Sequence, residues 1–482
     1  MEYLFANEVS RRVFVKGVGF VSLGVIFGTM GGCEDLLKSI KKRPIRRRLR
    51  TGSAAVDADI ATYREAVELM KALPAGDPTS WAAQAAIHGV AGAGFKWCQH
   101  GTNHFFDWHR AYLFYFEQIC QKLTGKKKFG LPYWNWNQNP DIHPAYLDAT
   151  SALFLARNRT TMTGSWSTTT AALDPILADT NFFTYRSQLE GTPHNNVHGW
   201  IGGTMGGAGS AMDPLFWNHH CMVDYCWAKW NIELGNNNTN DPAWVNTPNQ
   251  HFVDVDGNPA EMTAGLTTLL PLLSYQYESS AIGSSPATPE SKLKDEFKKV
   301  EKRVKEGADI KFNVTQRVRI RERAQVSIGR PLSIETTLSA ADFSRIINSD
   351  ASRETGFLSI DFARLPATSD FAVRVFVNLP TADRNTFTSD PHFAGSFAFF
   401  GTEQATAAPP PAGEHNHQLN FLVNISNTLQ KLKRSQAIAE GRPFSIQLVP
   451  VPFADQFERM DTQLVLERID IITTPVIINS AQ

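Results

Sequence analysis

Nine of the thirteen histidines in this chain fall between His88 and His220. That density makes the segment the place to look for a metal. Neutral imidazoles without supporting carboxylates suit a transition metal better than a hard, oxygen-seeking cation. In "HNNVH", His194 and His198 are four apart, so both rings lie on one helix face and can reach one ion. The residue after His194 is Asn195, not glutamate, which removes the zinc-protease pattern. His219 and His220 are adjacent and stand about 100° apart around a helix, so only one is expected to face the ion. Phe216 lies one turn before His220 and Asp224 one turn after it, an aromatic backing and a carboxylate able to hold a ring in place. That favours His220. His100 and His109 are nine apart and cannot share a face of one continuous helix, so His100 is expected to precede a helix that begins near His109. His104 offers a different pairing with either of them, and spacing alone leaves His100 and His104 open. Cys98 stands two places before His100.

These side chains need a frame. "DADIATYREAVELMKALP" carries apolar residues at helical spacing and is stopped by Pro74. "HRAYLFYFEQICQKLTG" reads as a second helix ending at Gly125. "DPLFWNHHCMVDYCWAKWNIELG" reads as a third, with Pro214 in its first turn and Gly235 after its end. From residue 279 the composition turns to small residues and proline, as in a linker, with a charged stretch running to 305. Beyond it the pattern alternates: "FAVRVFVNLP", "HFAGSFAFFG", "HQLNFLVNIS", "FSIQLVPVPF" and "QLVLERIDII" read as strands. The expected architecture is a mainly α domain over 55–278, a linker over 279–305 and an all-β sandwich over 306–482.

The chain's 482 residues exceed one ordinary core, in keeping with two domains. A formal net charge of zero gives no electrostatic reason to expect nucleic acid or an anionic membrane as partner. Five scattered cysteines, none in a C-x-x-C pair, describe neither a disulfide scaffold nor a zinc ribbon. Residues 1–33 read as an export signal: "SRRVFVKG", then a short apolar run ending at Cys33. The paired arginines resemble a twin-arginine signal, which implies a periplasmic or extracellular destination. "MGGC" partly resembles a lipoprotein box, and lipidation of Cys33 is the one membrane association expected. Residues 34–54, with "KKRPIRRRLR", read as a solvated basic arm from which one arginine docks on the α domain.

"HGTNHFFDWHRAYLFYFE", from His100 to Glu117, resembles the first copper signature of the tyrosinase and polyphenol oxidase family. Its marks are His100, Phe105, Trp108, His109, Arg110 and Glu117. "DPLFWNHHCMVD" resembles the second signature, whose ligand is His220, and "PHNNVHGW" lies between the two. "FGLPYWNWN", "DPAW" and "YQYE" are similar to the plant-type enzymes, a likeness spanning roughly residues 45–278. The resemblance implies a four-helix-bundle core around two copper ions, with O2 as co-substrate. The first copper maps to His88, His100 and His109, and the second to His194, His198 and His220; His104 becomes a bystander. It also implies a thioether between Cys98 and the imidazole of His100, in the placement of fungal members. Substrates are then small phenols: monophenols hydroxylated at the ortho position and o-diphenols oxidised to o-quinones. Glu190 and Asn195 match the pair that holds a water to take the phenol's proton. Such enzymes are often kept latent by a C-terminal domain that inserts a side chain above the coppers, to be released by an activating protease. Phe453, in "VPVPFADQF", is the expected plug. The alternatives are a catechol or o-aminophenol oxidase without monophenol hydroxylation, and an oxygen carrier of haemocyanin type.

Overall fold

The computed structural model describes residues 43–278, apart from 75, 269, 271, 272 and 274, and residues 314–475, apart from 328–329, 348–353, 403–418 and 454–462. The export signal, Cys33 and the linker over 279–305 lie outside the described residues.

The helical half is organised by α1 (Ala54–Ala72), α2 (Trp81–His88), α3 (Phe105–Thr124), α4 (Thr170–Leu177), α5 (Phe182–Leu189), α6 (Asn195–Ile201) and α7 (Pro214–Ala228). Local chemistry sets their ends. Ser80 caps α2 by accepting the Ala83 N–H, and Asp213 caps α7 by accepting the Leu215 N–H, with Pro214 in the first turn. Gly125 ends α3 in the left-handed region at φ 68°. Every residue of α7 is buried, as are fourteen of the twenty in α3, so these two helices form the centre of the domain. Their sequences have almost no polar stripe for that reason. Helix α3 starts four residues earlier than the sequence suggests, at Phe105, and His100 lies before it as expected.

Where it is described the basic arm is half-buried, and one of its arginines docks on the helical half as expected. Strand β1 (Ile45–Arg46) pairs in parallel with β2 (Gln276–Tyr277), and Arg46 is wholly buried. Its guanidinium binds Glu117 at 2.8 Å and Asp224 at 3.2 Å and lies 3.4 Å from the centroid of the Tyr275 ring. A buried arginine is stable only with such partners around it.

The second half is a sandwich of two antiparallel four-stranded sheets. Its strands are β3 (Gln316–Ser327), β4 (Leu332–Thr336), β5 (Glu354–Phe362), β6 (Phe371–Val377), β7 (Phe393–Ala398), β8 (Asn420–Asn424), β9 (Phe444–Pro452) and β10 (Gln463–Pro475). The sheet orders are β7-β6-β9-β4 and β8-β5-β10-β3. Leu358, Ile360, Val373, Val375, Ile446, Leu448, Leu466 and Ile469 fill the space between them. Helices α8 (Ala340–Ile347) and α9 (Ser426–Arg434) pack on this module. Edge strand β7 rests on the helical half: the Thr192 hydroxyl donates to the Ser396 carbonyl at 2.9 Å, and the Asn195 amide to the Ala398 carbonyl at 2.8 Å.

Candidate metal centre

Four elements converge on one buried cluster. His88 ends α2, His109 lies one turn into α3, His198 lies in α6, and His220 is in the middle of α7. His194 belongs to a π-helical turn, residues 190–194, wedged between α5 and α6 and containing Pro193. Such turns are rare and are frequently found at functional sites. His100 arrives from the loop before α3. The ligand atoms of His88, Cys98 and His100 lie within 4.8 Å of one another, as do those of His194, His198, His219 and His220. His109 joins the two groups: its ring is 5.1 Å from that of His100 and stacks on His220 at 4.4 Å.

Hydrogen bonds decide which ring nitrogens can bind metal. The Nδ1 atoms of His88, His109 and His198 face the carbonyls of Ala208 (3.1 Å), Phe105 (2.7 Å) and Met205 (2.7 Å). Nδ1 of His194 faces Asn195 Oδ1 at 2.8 Å. A carbonyl oxygen only accepts, so in each neutral ring Nδ1 carries the proton and Nε2 keeps its lone pair. The Nε2 atoms of His88, His109 and His194 are buried without a hydrogen-bond partner, and that of His198 meets His220 Nε2 at 3.4 Å, a separation that suits two ligands of one ion. Leaving one buried polar atom unpaired costs about 1–3 kcal/mol. Several in a single cluster fit lone pairs reserved for metal.

His219 behaves differently. The sequence reading had it turned away from His220, yet the structure brings both rings into the cluster, 5.2 Å apart and inclined at 67°. The reach of the two imidazoles overcomes their angular separation on α7. The Trp136 indole N–H donates to His219 Nδ1 at 3.2 Å. Indole can only donate, so the lone pair of this ring sits on Nδ1 and its Nε2 carries the proton. His219 is thereby removed from the ligand set by its tautomer, not by its direction.

Burial holds these rings neutral. The imidazoles of His100, His109, His198, His219 and His220 are pushed well below the ordinary histidine value, chiefly by desolvation and then by one another, and His194 is lowered to about 3. Neutral imidazole is the form that binds metal.

Other expected site residues take different roles. Asp224 does not hold His220. It accepts from Arg110, Arg46, Tyr275 and Tyr277, because two buried guanidiniums on that side of α7 need a counter-charge. Phe216 does support the centre, its ring 4.2 Å from His220 and 4.9 Å from His88. The Glu190 carboxylate accepts the Gly101 N–H at 2.7 Å and Arg186 at 2.6 Å; burial raises it to about 7, against the pull of Arg186. Cys98 is fully buried, its thiol pushed up by desolvation. His104 stacks on Trp244 outside the cluster and pairs with Asp107.

Two features were missed in the sequence. The glycine-rich "GGTMGGAGS" forms a wall whose Met205 and Ala208 carbonyls set the tautomers of His198 and His88. And the ring over the cluster is that of Phe400, not the expected Phe453. Phe400, in the turn after β7, lies on the His198 ring at 4.0 Å and edge-on to His100 at 4.9 Å and His194 at 5.5 Å. Phe453 sits further out, against Gly199 and 5.5 Å from the Trp200 ring. Gly401, at φ 88°, turns the chain immediately after Phe400, and a Cβ there would lie 2.6 Å from the Phe95 ring. Glycine at that turn is the signal that could have pointed to Phe400.

Comparison with known proteins agrees with this geometry. Residues 78–154 and 143–233 match the common central domain of tyrosinase, and residues 333–473 match a domain of unknown function. A tyrosinase, HcTyr1, from Hahella sp. (strain CCB-MM4) is 27% identical over 462 residues, covering 82% of this chain and 93% of that protein. The chloroplastic polyphenol oxidase of Malus domestica is 33% identical over 261 residues, 42% of this chain and 44% of that one. Among solved structures, a latent aurone synthase (polyphenol oxidase) superposes with a TM-score of 0.61 at 20% identity, covering 91% of this chain and 90% of that chain.

Proposed function

This chain belongs to the tyrosinase and polyphenol oxidase family, whose centre is a pair of copper ions, and from that premise we propose that it hydroxylates monophenols at the ortho position, oxidises o-diphenols to o-quinones, and is held latent by its sandwich domain. The observation that carries the reading is the set of buried Nε2 lone pairs with their Nδ1 atoms fixed on oxygen. His88, His100 and His109 would hold one copper, and His194, His198 and His220 the other. Copper, when bound, supplies the chemistry with O2. The protein's residues do the rest.

The phenol ring takes the place of Phe400, face to face with His198. A phenol has a pKa of about 10 and needs a base to bind as phenolate. Glu190, raised to about 7, is partly ionised at neutral pH and so poised to accept that proton at a carboxylate oxygen. Each of its oxygens has a second lone pair for a water, and Asn195 can steady that water. The π turn holds Glu190 and His194 in fixed relation, which keeps base and metal ligand together.

His100 supports the thioether with Cys98. Both of its ring nitrogens are without hydrogen-bond partners, so no hydrogen bond sets the orientation of this ring. A bond from the neighbouring sulfur would set it. We also retain export by the twin-arginine route, to be tested by replacing Arg11 and Arg12 and locating the protein.

The decisive experiment is oxygen uptake by copper-loaded full-length protein, with tyrosine and with a catechol, before and after limited proteolysis. Uptake with both, rising on proteolysis, is expected. Turnover of the catechol alone makes the chain a catechol oxidase. Two bound coppers with no turnover in either form make it an oxygen carrier.

A further inference from the structure

Phe453 was displaced as the plug, and its own contacts then need a reason. Its main-chain carbonyl accepts from Arg159 Nη2, while its ring lies edge-on to Trp200 at an interplanar angle of 74°. The floor beneath the ring is Gly199, where a Cβ would come within 2.8 Å of Phe453 Cε2 and 2.9 Å of the Ser369 carbonyl. Arg159 is held rigidly. Its N–H donates to the Ile201 carbonyl at 3.1 Å, its Nη1 to the Trp200 carbonyl at 3.0 Å, and its guanidinium lies 4.4 Å from the Trp200 ring centroid. Gly199 directly follows His198, the ring on which Phe400 lies. Three contacts of the sandwich thus fall on neighbouring residues of the helical half: one aromatic ring on His198, a second on Gly199, and a carbonyl oxygen on the fixed guanidinium of Arg159.

We propose that Arg159, Trp200 and Gly199 form a recognition shelf for phenols bearing a carboxylate on their side chain, and that Phe453 occupies this shelf in the latent chain. The proposal rests on the phenol-oxidase reading and adds its substrate class. Guanidinium donates and never accepts, and its planar fork matches a carboxylate better than a single carbonyl. A carboxylated phenol thus replaces a neutral acceptor with a charged one, and charge-assisted hydrogen bonds are roughly twice as strong. With its ring near His198 and a short side chain crossing Gly199, such a phenol overlaps both contacts of the lid.

The first test needs neither copper nor turnover. Hydrogen exchange of residues 393–401 and 450–453 is followed in the full-length chain with 3-phenylpropanoate and with uncharged 3-phenyl-1-propanol. The carboxylate is expected to speed exchange about tenfold at saturation and the alcohol to leave it unchanged, from the extra strength of a charged acceptor. Arg159→Gln should abolish the response and Arg159→Lys keep part of it. Equal responses to both compounds, or a response surviving in Arg159→Gln, overturn the shelf. The second test uses copper-loaded full-length protein carrying Phe400→Ala. The kcat/KM ratio of 3-(4-hydroxyphenyl)propanoate to 4-propylphenol should fall about tenfold on Arg159→Gln, with the loss in KM. An unchanged ratio makes Arg159 a lid anchor only and overturns the proposal. Exchange that responds in a protein without phenol turnover upholds the shelf and rejects the oxidase reading; turnover without an exchange response does the reverse.

Discussion

The two histidine triads are built to one plan with one exception. In the triad of His194, His198 and His220, two rings are anchored through Nδ1 on oxygen, and the third is wedged between Phe216 at 4.2 Å and His109 at 4.4 Å. In the triad of His88, His100 and His109, two rings are anchored in the same way, but His100 has neither a hydrogen bond nor a helix beneath it. It is also the ring with a cysteine beside it. The difference teaches that a ligand ring can be oriented by hydrogen bond or by packing alone, and that His100, held by the rings of Phe95, His194 and Phe400, is the one placed from a loop.

The comparison can be broken most severely by removing a ligand from either side. His109→Ala and His194→Ala should each lower copper content from two to one per chain and cut phenol oxidation by more than the about 10–100-fold typical of changing a residue that only supports a ligand. Metal analysis that still finds two coppers in either variant would undo the assignment. Next comes the exception itself. Cys98→Ser should weaken copper at the first triad by about 10–100-fold and leave the second unaffected. The mass of the denatured, copper-treated wild type should be lower by two hydrogens, and an unchanged mass would rule out the thioether. Third, Phe400→Ala should raise oxidation by the intact chain about tenfold, as expected from removing a contact of about 1.4 kcal/mol, whereas Phe453→Ala should raise it less. The reverse ranking would restore Phe453 as the plug.

A smaller effect is the dependence of apo-protein stability on pH. Six of the clustered histidines have folded values below the unfolded value near 6.5. As pH falls through 6.5, the unfolded chain takes up protons that the folded one refuses, so stability present above 6.5 is lost, by up to about 1.4 kcal/mol per pH unit for each ring. Glu190, raised to about 7, has the opposite sign and gains stability as pH falls from about 7 towards the ordinary carboxylate range. One carboxyl does not offset six imidazoles. Denaturation of the apo-protein at pH 7.5 and 5.5 should therefore show a clear loss at the lower pH, and equal stability would show that the cluster is hydrated. The smallest change expected is Trp136→Phe, which frees the tautomer of His219 while keeping the packing. A few-fold loss of second-triad copper affinity is the outcome to look for.

Much of this was legible in the sequence because it depends on local pattern. The long helices, the turn of four between His194 and His198, and the five alternating segments of the sandwich follow from periodicity. Strands β3, β4 and β5 were missed. Edge strand β3 reads "QRVRIRERAQVS", with only Ile320 and Val326 buried, so its apolar signal is faint. Spacing could not choose His100 over His104, since the choice is made by where the chain enters α3; the full signature made it. The roles of Asp224, the glycine-rich wall, His219 and Phe400 depend on partners far away in sequence. Asp224 looked like a support for His220 until Arg46, 178 residues away, claimed it.

The parallel pairing of Ile45–Arg46 with Gln276–Tyr277 has a consequence for how the chain could be rearranged. It clasps the beginning and the end of the helical half side by side and locks them with Arg46. A domain whose ends meet is portable. It can be joined to a different second domain, or cut open elsewhere and its ends fused, without unthreading anything from the sandwich. The sandwich is thus a part that recombination can exchange, while the centre travels as a closed unit.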